Sequence, residues 1–97
     1  MDKFIEDRHF KQISFVQQPP ELAEYDNCTF SDCDFSGVDL SGLSFSQCQF
    51  TNCNLSMVKL NKTALKDIRF TGCKLVGLHL NDCSEFLFEV YFEDCVL

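Results

Sequence analysis

From Tyr25 to Leu80, every fifth residue is large and apolar. The twelve positions are Tyr25, Phe30, Phe35, Leu40, Phe45, Phe50, Leu55, Leu60, Leu65, Phe70, Leu75 and Leu80. An α-helix repeats its faces every 3.6 residues and a strand every 2, so neither accounts for a strict five. Two places before the central residue stands a second, smaller set: Cys28, Cys33, Val38, Leu43, Cys48, Cys53, Val58, Thr63, Ile68, Cys73 and Leu78. An internal repeat this regular dominates every other feature of the chain.

The polar slots are equally ordered. Directly after the central residue come short polar side chains such as Asp26, Ser31, Ser36, Ser41, Ser46, Thr51 and Ser56. These bond readily to nearby backbone and favour turns over helix. The next slot is Gly, Asn or Asp in nine of twelve repeats, and it holds all four glycines of the chain. Those residue types tolerate a positive φ. Each unit therefore reads as a short extended piece followed by a turn. A second period of twenty, visible in Phe10, Phe30, Phe50 and Phe70 and in Leu40, Leu60 and Leu80, makes four units per coil. Coils stacked in that register pair their backbone with the layers above and below and pile like side chains about 4.8 Å apart.

Units such as "SDCDF", "SGVDL", "TNCNL" and "TGCKL" resemble the pentapeptide-repeat family. The resemblance implies an all-β fold, a right-handed quadrilateral parallel β-helix of about four to five coils with both apolar slots facing inward. The stretch "NCTFSDCDFSGVDLSGLSFSQCQF" with "CNLSM" is similar to the Qnr-type members and to related microcin- and toxin-immunity proteins. That likeness implies a non-enzymatic protein that mimics duplex DNA and modulates DNA gyrase or topoisomerase IV, giving quinolone or toxin protection. The alternative is a pentapeptide scaffold or protein-interaction module of unrelated role.

Three regions are expected. Residues 1–24 form an irregular first coil or cap, since Pro20 takes a central slot and Arg8 and Gln18 take inner ones. Residues 25–80 form the regular β-helix. After Leu80 the count fails, and shifting it by two restores it: Leu87, Phe92 and Leu97 become central, with Val90 and Cys95 two before. Residues 81–97 thus carry a register break, a bulge or loop over 82–88 where Phe86 or Phe88 points outward, and then further repeats. Leu97 falls on a central slot with no polar cap after it. Either the repeats continue beyond it, which is the preferred reading, or two copies meet as a homodimer through this end.

The remaining expectations concern chemistry. Cys28, Cys33, Cys48, Cys53 and Cys73 share one inward slot with the residues above, where a free thiol acts as a small hydrophobe. Their spacing is unlike that of zinc modules, so no metal or other cofactor is expected. His79 lies between two inward residues and projects outward, out of reach of the inward thiols, so no Cys–His nucleophile forms. No phosphate loop or paired-carboxylate cleft is present, and no catalytic residue is assigned. The net charge of −7 disfavours direct nucleic acid binding. Met1 to Phe10 lacks the apolar block of a secretory leader, no run reaches the ~20 apolar residues of a membrane span, and seven cysteines suit a reducing, cytoplasmic setting. The charge is banded. Asp26, Asp32, Asp34 and Asp39 precede a basic stretch of Lys59, Lys62, Lys66, Arg69 and Lys74, and Asp82, Glu85, Glu89, Glu93 and Asp94 follow it. The candidate partner surface is Asp32, Asp34, Asp39, Glu85 and Glu89, and the expected partner is a protein, in the first place a type II topoisomerase.

Overall fold

The structure is a computed structural model and describes residues 3–83 and 88–97. It is an all-β parallel solenoid of about four turns. Eight strands form one sheet: β1 (Phe4–Glu6), β2 (His9–Lys11), β3 (Glu24–Asp26), β4 (Thr29–Ser31), β5 (Ser44–Ser46), β6 (Gln49–Thr51), β7 (Ala64–Thr71) and β8 (Phe88–Glu93). All pairing is parallel, in the order β1-β3-β5-β7-β6-β4-β2, with β8 added on β7. One side of the coil is the column β1, β3, β5 and the start of β7; the next is β2, β4, β6 and the end of β7. Single bridges build the other two sides: Ser14, Asp34, Asn54, Lys74 and Val96 along one, Asp39 and Lys59 along the other.

The register is the twenty-residue period in atomic form. Phe10 pairs with Phe30, Phe30 with Phe50, and Phe50 with Phe70. Their rings stack at 4.9, 4.7 and 5.1 Å between centroids, with interplanar angles of 7°, 8° and 18°. Neighbouring columns meet edge-on, as at Phe30–Phe35, 5.6 Å and 68°. Phe30 therefore has a ring above, a ring below and ring edges beside it, the two arrangements that aromatic quadrupoles favour. Phe30, Phe35, Leu40, Phe45, Phe50, Leu55, Leu60, Leu65, Phe70 and Leu75 are all buried, as are Cys28, Cys33, Cys48, Cys53 and Cys73. Leu80, placed in the core from sequence, is only half-buried and packs against the margin of the core. It opens a 3-10 turn, Leu80–Asp82, that closes with the Cys83 N–H on the Leu80 carbonyl at 3.1 Å.

The corners explain the small polar slot. At every fifth residue from Asn27 to Gly77 φ is positive, between 52° and 79°. Gly77, at φ +77°, meets this requirement without a Cβ penalty. Gln47, Met57 and Lys62 adopt the same conformation although their side chains disfavour it. The corner N–H is what holds them there: Asn27 donates to the Ser46 carbonyl and Asp32 to the Thr51 carbonyl of the next coil, at 2.9 and 3.0 Å.

Two kinds of corner alternate, and they sort the cysteines. After Phe35, Leu40, Leu55, Leu60 and Leu75 the corner is tight, and the inner residue's N–H returns to the central carbonyl, as Val38 does to Phe35 at 2.9 Å. After Tyr25, Phe30, Phe45, Phe50, Phe70 and Phe92 the chain makes a wider bend. The inner residue that follows a wide bend is Cys28, Cys33, Cys48, Cys53, Cys73 or Cys95, whereas Ile68 lies within the continuous strand β7. Each of these six thiols lies near two carbonyls: one two residues back, the other a central residue of the coil below. Cys53 Sγ is 3.4 Å from the Thr51 carbonyl and 3.2 Å from that of Phe30. The thiol thus adds a weak donor to a central carbonyl that already lies in the strand ladder and makes no turn bond.

At the start, β1 and β2 pair with β3 and β4, and Ile5 and Phe15 are buried. At the far end Phe92 stacks on Phe70 at 5.4 Å. That pair is 22 residues apart instead of 20, and the β7–β8 ladder carries a register shift between Leu65 and Ile68. The expected bulge over 82–88, with Phe86 or Phe88 turned outward, lies largely outside the described residues. No helix among the described residues is long and apolar enough to cross a membrane.

Phe50→Ala should cost about 3–5 kcal/mol and Cys53→Ala about 1–2 kcal/mol in urea unfolding, the difference reflecting a lost stack against a lost small group with weak bonds. Burial raises the Cys48 thiol to about 12 and, with help from Asp82, that of Cys83 to about 11; burial also takes the Tyr25 phenol to about 12. In the unfolded chain a thiol ionises near 8.5. The folded state holds more protons above that value, so stability is complete below about pH 8.5 and declines as pH rises towards 11–12. Urea midpoints measured from pH 8 upward should fall, and Cys48→Ala should flatten the decline.

Candidate functional site

The solenoid interior is filled, so chemistry is confined to the surface that the corners and outward slots present. Among the described residues, no group of three or more His, Cys, Asp or Glu side chains converges as a metal site would. The surface recesses are open and shallow. One of about 310 Å³ is lined by Met57, Lys59, Leu60, His79 and Asp82, and one of about 240 Å³ by Asn27, Gln47, Gln49, Asp67 and Arg69. His79 is exposed, as its position between two inward slots requires, while the thiols of Cys28, Cys48 and Cys73 are buried. His9 faces the Thr29 hydroxyl.

Asp32, Asp34 and Asp39 are exposed within one coil, at a corner and on the two sides that follow it. Two of them do local work that a position in the repeat does not reveal. Asp34 Oδ1 accepts from the Ser36 N–H at 2.9 Å and from the Ser36 hydroxyl at 2.8 Å. Asp39 Oδ1 accepts from the Ser41 N–H at 2.9 Å. Asn54 does the same for Ser56 at 3.1 Å. These are Asx turns, and their sequence mark is Asp or Asn two places before Ser: "DFS", "DLS" and "NLS". Bonds from Ser41, hydroxyl and N–H, hold the Asp39 carboxyl below its usual range, with Lys59 adding a smaller attraction.

Glu89 is exposed and accepts from the Tyr91 hydroxyl at 3.1 Å; Glu85 lies outside the described residues. The Tyr91 phenol is raised, first by that bond and then by the Glu89 charge. The Arg69 guanidinium sits over the Tyr91 ring at 4.8 Å, a cation–π contact that the spacing of 22 concealed. The candidate acids therefore form two separate groups, Asp32, Asp34 and Asp39 in one coil and Glu89 beyond the basic band. On the side of Asp39 the next layer is Lys59; on the side of Asp34, Asn54 and then Lys74 follow.

Comparison with known proteins agrees with this architecture. The family model for pentapeptide repeats matches residues 28–67 in eight copies. Residues 28–67 therefore carry pentapeptide repeats of that family's kind. No curated protein matches it. Among solved structures it is similar to full-length QnrB1, a plasmid-mediated fluoroquinolone resistance protein, with TM-score 0.66 and 23% identity. The alignment covers 95% of this chain and 43% of that one, so the chain spans less than half the length of QnrB1. At that identity the likeness is one of fold. A pentapeptide-repeat protein, Rfr23 from the cyanobacterium Cyanothece 51142, aligns with TM-score 0.47 and 12% identity over 97% of this chain and 87% of its own.

The Asx turns separate two effects of one side chain. Asp34→Ala should cost about 0.5–1 kcal/mol in urea unfolding, because Ser36 loses its acceptor, whereas Asp34→Asn should be neutral because an amide oxygen can take the same bonds.

Proposed function

We propose that this pentapeptide-repeat protein is a non-enzymatic binding protein whose acidic coil docks on the DNA-binding surface of a type II topoisomerase, DNA gyrase or topoisomerase IV, in place of duplex DNA. The observation that carries the reading is the fixed presentation of Asp34 and Asp39. Their carboxylates are held by their own turns on a stiff, filled scaffold, so little side-chain freedom remains to be lost when a basic surface closes on them. Asp32 extends the same coil around the corner. The likeness of fold to QnrB1 supports the choice of partner. Glu85 and Glu89 belong to a second acidic layer beyond the basic band and are proposed as a subsidiary contact.

A second reading has its own support. Lys59 stands directly on Asp39, and Lys74 follows Asp34 two layers on, so each acidic column turns basic within the same side. A partner of mixed charge, served by a general interaction scaffold, fits such columns as well as a basic one does.

Gyrase supercoiling with and without a quinolone, in the presence of this protein, decides between them. The expected result is protection or inhibition that disappears in the Asp32→Asn, Asp34→Asn, Asp39→Asn triple variant. That variant keeps the turns capped and should melt like the parent. No effect of the parent protein on gyrase or topoisomerase IV at micromolar concentration would leave the scaffold reading in its place.

A further inference from the structure

We infer that two copies of this chain pair side by side and antiparallel, through the side of the coil that carries Asp34, Asn54 and Lys74. Bridges set these three in consecutive layers, Asp34 on Asn54 and Asn54 on Lys74. Ser14 lies below them and Val96 above, so they form the middle of a longer side. They alternate with buried residues such as Phe35, Leu55 and Leu75, so their side chains point outward. The side runs on through Ser36, Ser56 and Val76 to the corners Gly37, Met57 and Gly77. Two of these residues are large exposed hydrophobics, Met57 at 63% and Val76 at 44%.

This side is complementary to itself. A two-fold axis running along the Asn54 layer keeps each residue's place along the strand and exchanges the layer above for the layer below. It sets the partner's Lys74 on Asp34 and the partner's Asp34 on Lys74, two opposite-charge contacts from one operation. Asn54 meets the partner's Asn54 on the axis, amide to amide. The corners interlock in the same geometry. The Met57 sulfur occupies the place that a Gly77 Cβ would take, whereas at Gly37 nothing lies within 4 Å of such a Cβ. The axis sets the partner's Gly37 opposite Gly77, so Met57 enters the space that this glycine leaves open. No other side offers the same match. On the side of β4 and β6 the reversal sets Arg69 against Thr29. On the side of β3 and β5, Ala64 takes an outward slot yet is buried, so that side is not free. The fourth side has only the Asp39–Lys59 bridge. The contact is isologous and closes at two copies. The molecule's extents of 32 × 27 × 21 Å limit one side to roughly 600 Å² per copy, the low end for a specific pair, so the dimer is a weak one. The inference does not rest on the topoisomerase reading; Asp34 serves both, so pairing and docking exclude each other.

Sedimentation velocity of the protein alone, from about 1 µM to about 1 mM, tests the inference. The weight-average mass should rise towards the dimer, half-formed at about 0.1 mM, and go no higher. Lys74→Glu should weaken pairing about tenfold, because both attractions become repulsions. Asp34→Lys should do the same. An equimolar mixture of the two variants should pair again, since each copy then meets the opposite charge at both places. Met57→Asn gives an independent check. Asn accepts the φ of 62° at this corner more readily than Met, so the variant should melt no lower than the parent and yet pair more weakly. Lys74 is exposed, so Lys74→Glu should also melt like the parent. A monomer at every concentration, a mass that climbs past the dimer, pairing indifferent to Lys74→Glu or Met57→Asn, or a mixture of folded variants that stays monomeric would each overturn the antiparallel pair.

Discussion

Everything in this molecule depends on the backbone ladder that sets each residue on its counterpart one coil away. The N–H of a corner or strand residue reaches the carbonyl of the neighbouring coil at 2.7–3.1 Å, as from Asn27 to Ser46, Phe35 to Asn54 and Lys74 to Cys53. Because the connection repeats after twenty residues, whatever occupies a slot is compared directly with its own kind. Phenylalanines become a ring stack, and six thiols come to lie at a carbonyl of the coil below, as Cys53 does at Phe30. The ladder also imposes positive φ at the corners on residues such as Gln47 and Met57, whose own preference is against it. Strain of that kind persists where the surroundings over-determine the backbone.

The distribution of cysteine follows from the same accounting of donors and acceptors. A tight corner satisfies the central carbonyl internally, and the inner slot after it is free to hold Val38, Leu43, Val58 or Leu78. A wide bend does not, and the inner slot after each of the six holds Cys, while Ile68 takes that slot inside the unbroken strand β7. Sulfur is small enough for the crowded interior and brings a weak donor. Thr63 shows the limit of the rule: it follows a tight corner, yet its hydroxyl also donates to the Leu40 carbonyl below, at 2.8 Å. Six of the seven cysteines are thereby explained, Cys83 instead closes the 3-10 turn as a buried residue, and all seven are free thiols.

The fold was legible because its determinants are periodic. The central slot, the inner slot and the corner slot each repeat, and the period of twenty gives the number of sides before any coordinate is known. What escaped is what the period does not encode. The Asx turns of Asp34 and Asp39 depend on a serine two residues on, a local pair inside a repeating unit. The cation–π contact of Arg69 with Tyr91 depends on a register shift within β7–β8, where the spacing becomes 22. The two corner types do differ in composition, with Gly37, Gly42 and Gly77 in tight corners and Asn27, Asp32 and Asn52 in wide bends, but the period of five gives both the same slot, so it does not reveal the sorting of thiols by bend. The candidate site was correspondingly less legible than the fold: its exposure follows from slot position, whereas its rigidity comes from side-chain bonds.

The ladder also limits what charge pattern such a surface can carry. Two like charges in adjacent layers sit about 4.8 Å apart, where their repulsion is on the order of 1 kcal/mol in water and several times larger near a low-dielectric wall. Among the paired columns, Glu6 over Asp26 is the one place where like charges occupy neighbouring layers. Elsewhere an acid is followed by a neutral residue or a base: Asp26 by Ser46 and then Lys66, Asp34 by Asn54, Asp39 by Lys59. A continuous acidic stripe along one side would work against the stacking that forms the solenoid. Acids can be gathered at less cost by spreading them around a single coil, where adjacent sides separate them, and Asp26, Asp32, Asp34 and Asp39 do this. An acidic belt backed by a basic one is thus partly a consequence of how the chain folds. The part free to serve recognition is which side of the belt carries carboxylates that are already held in place.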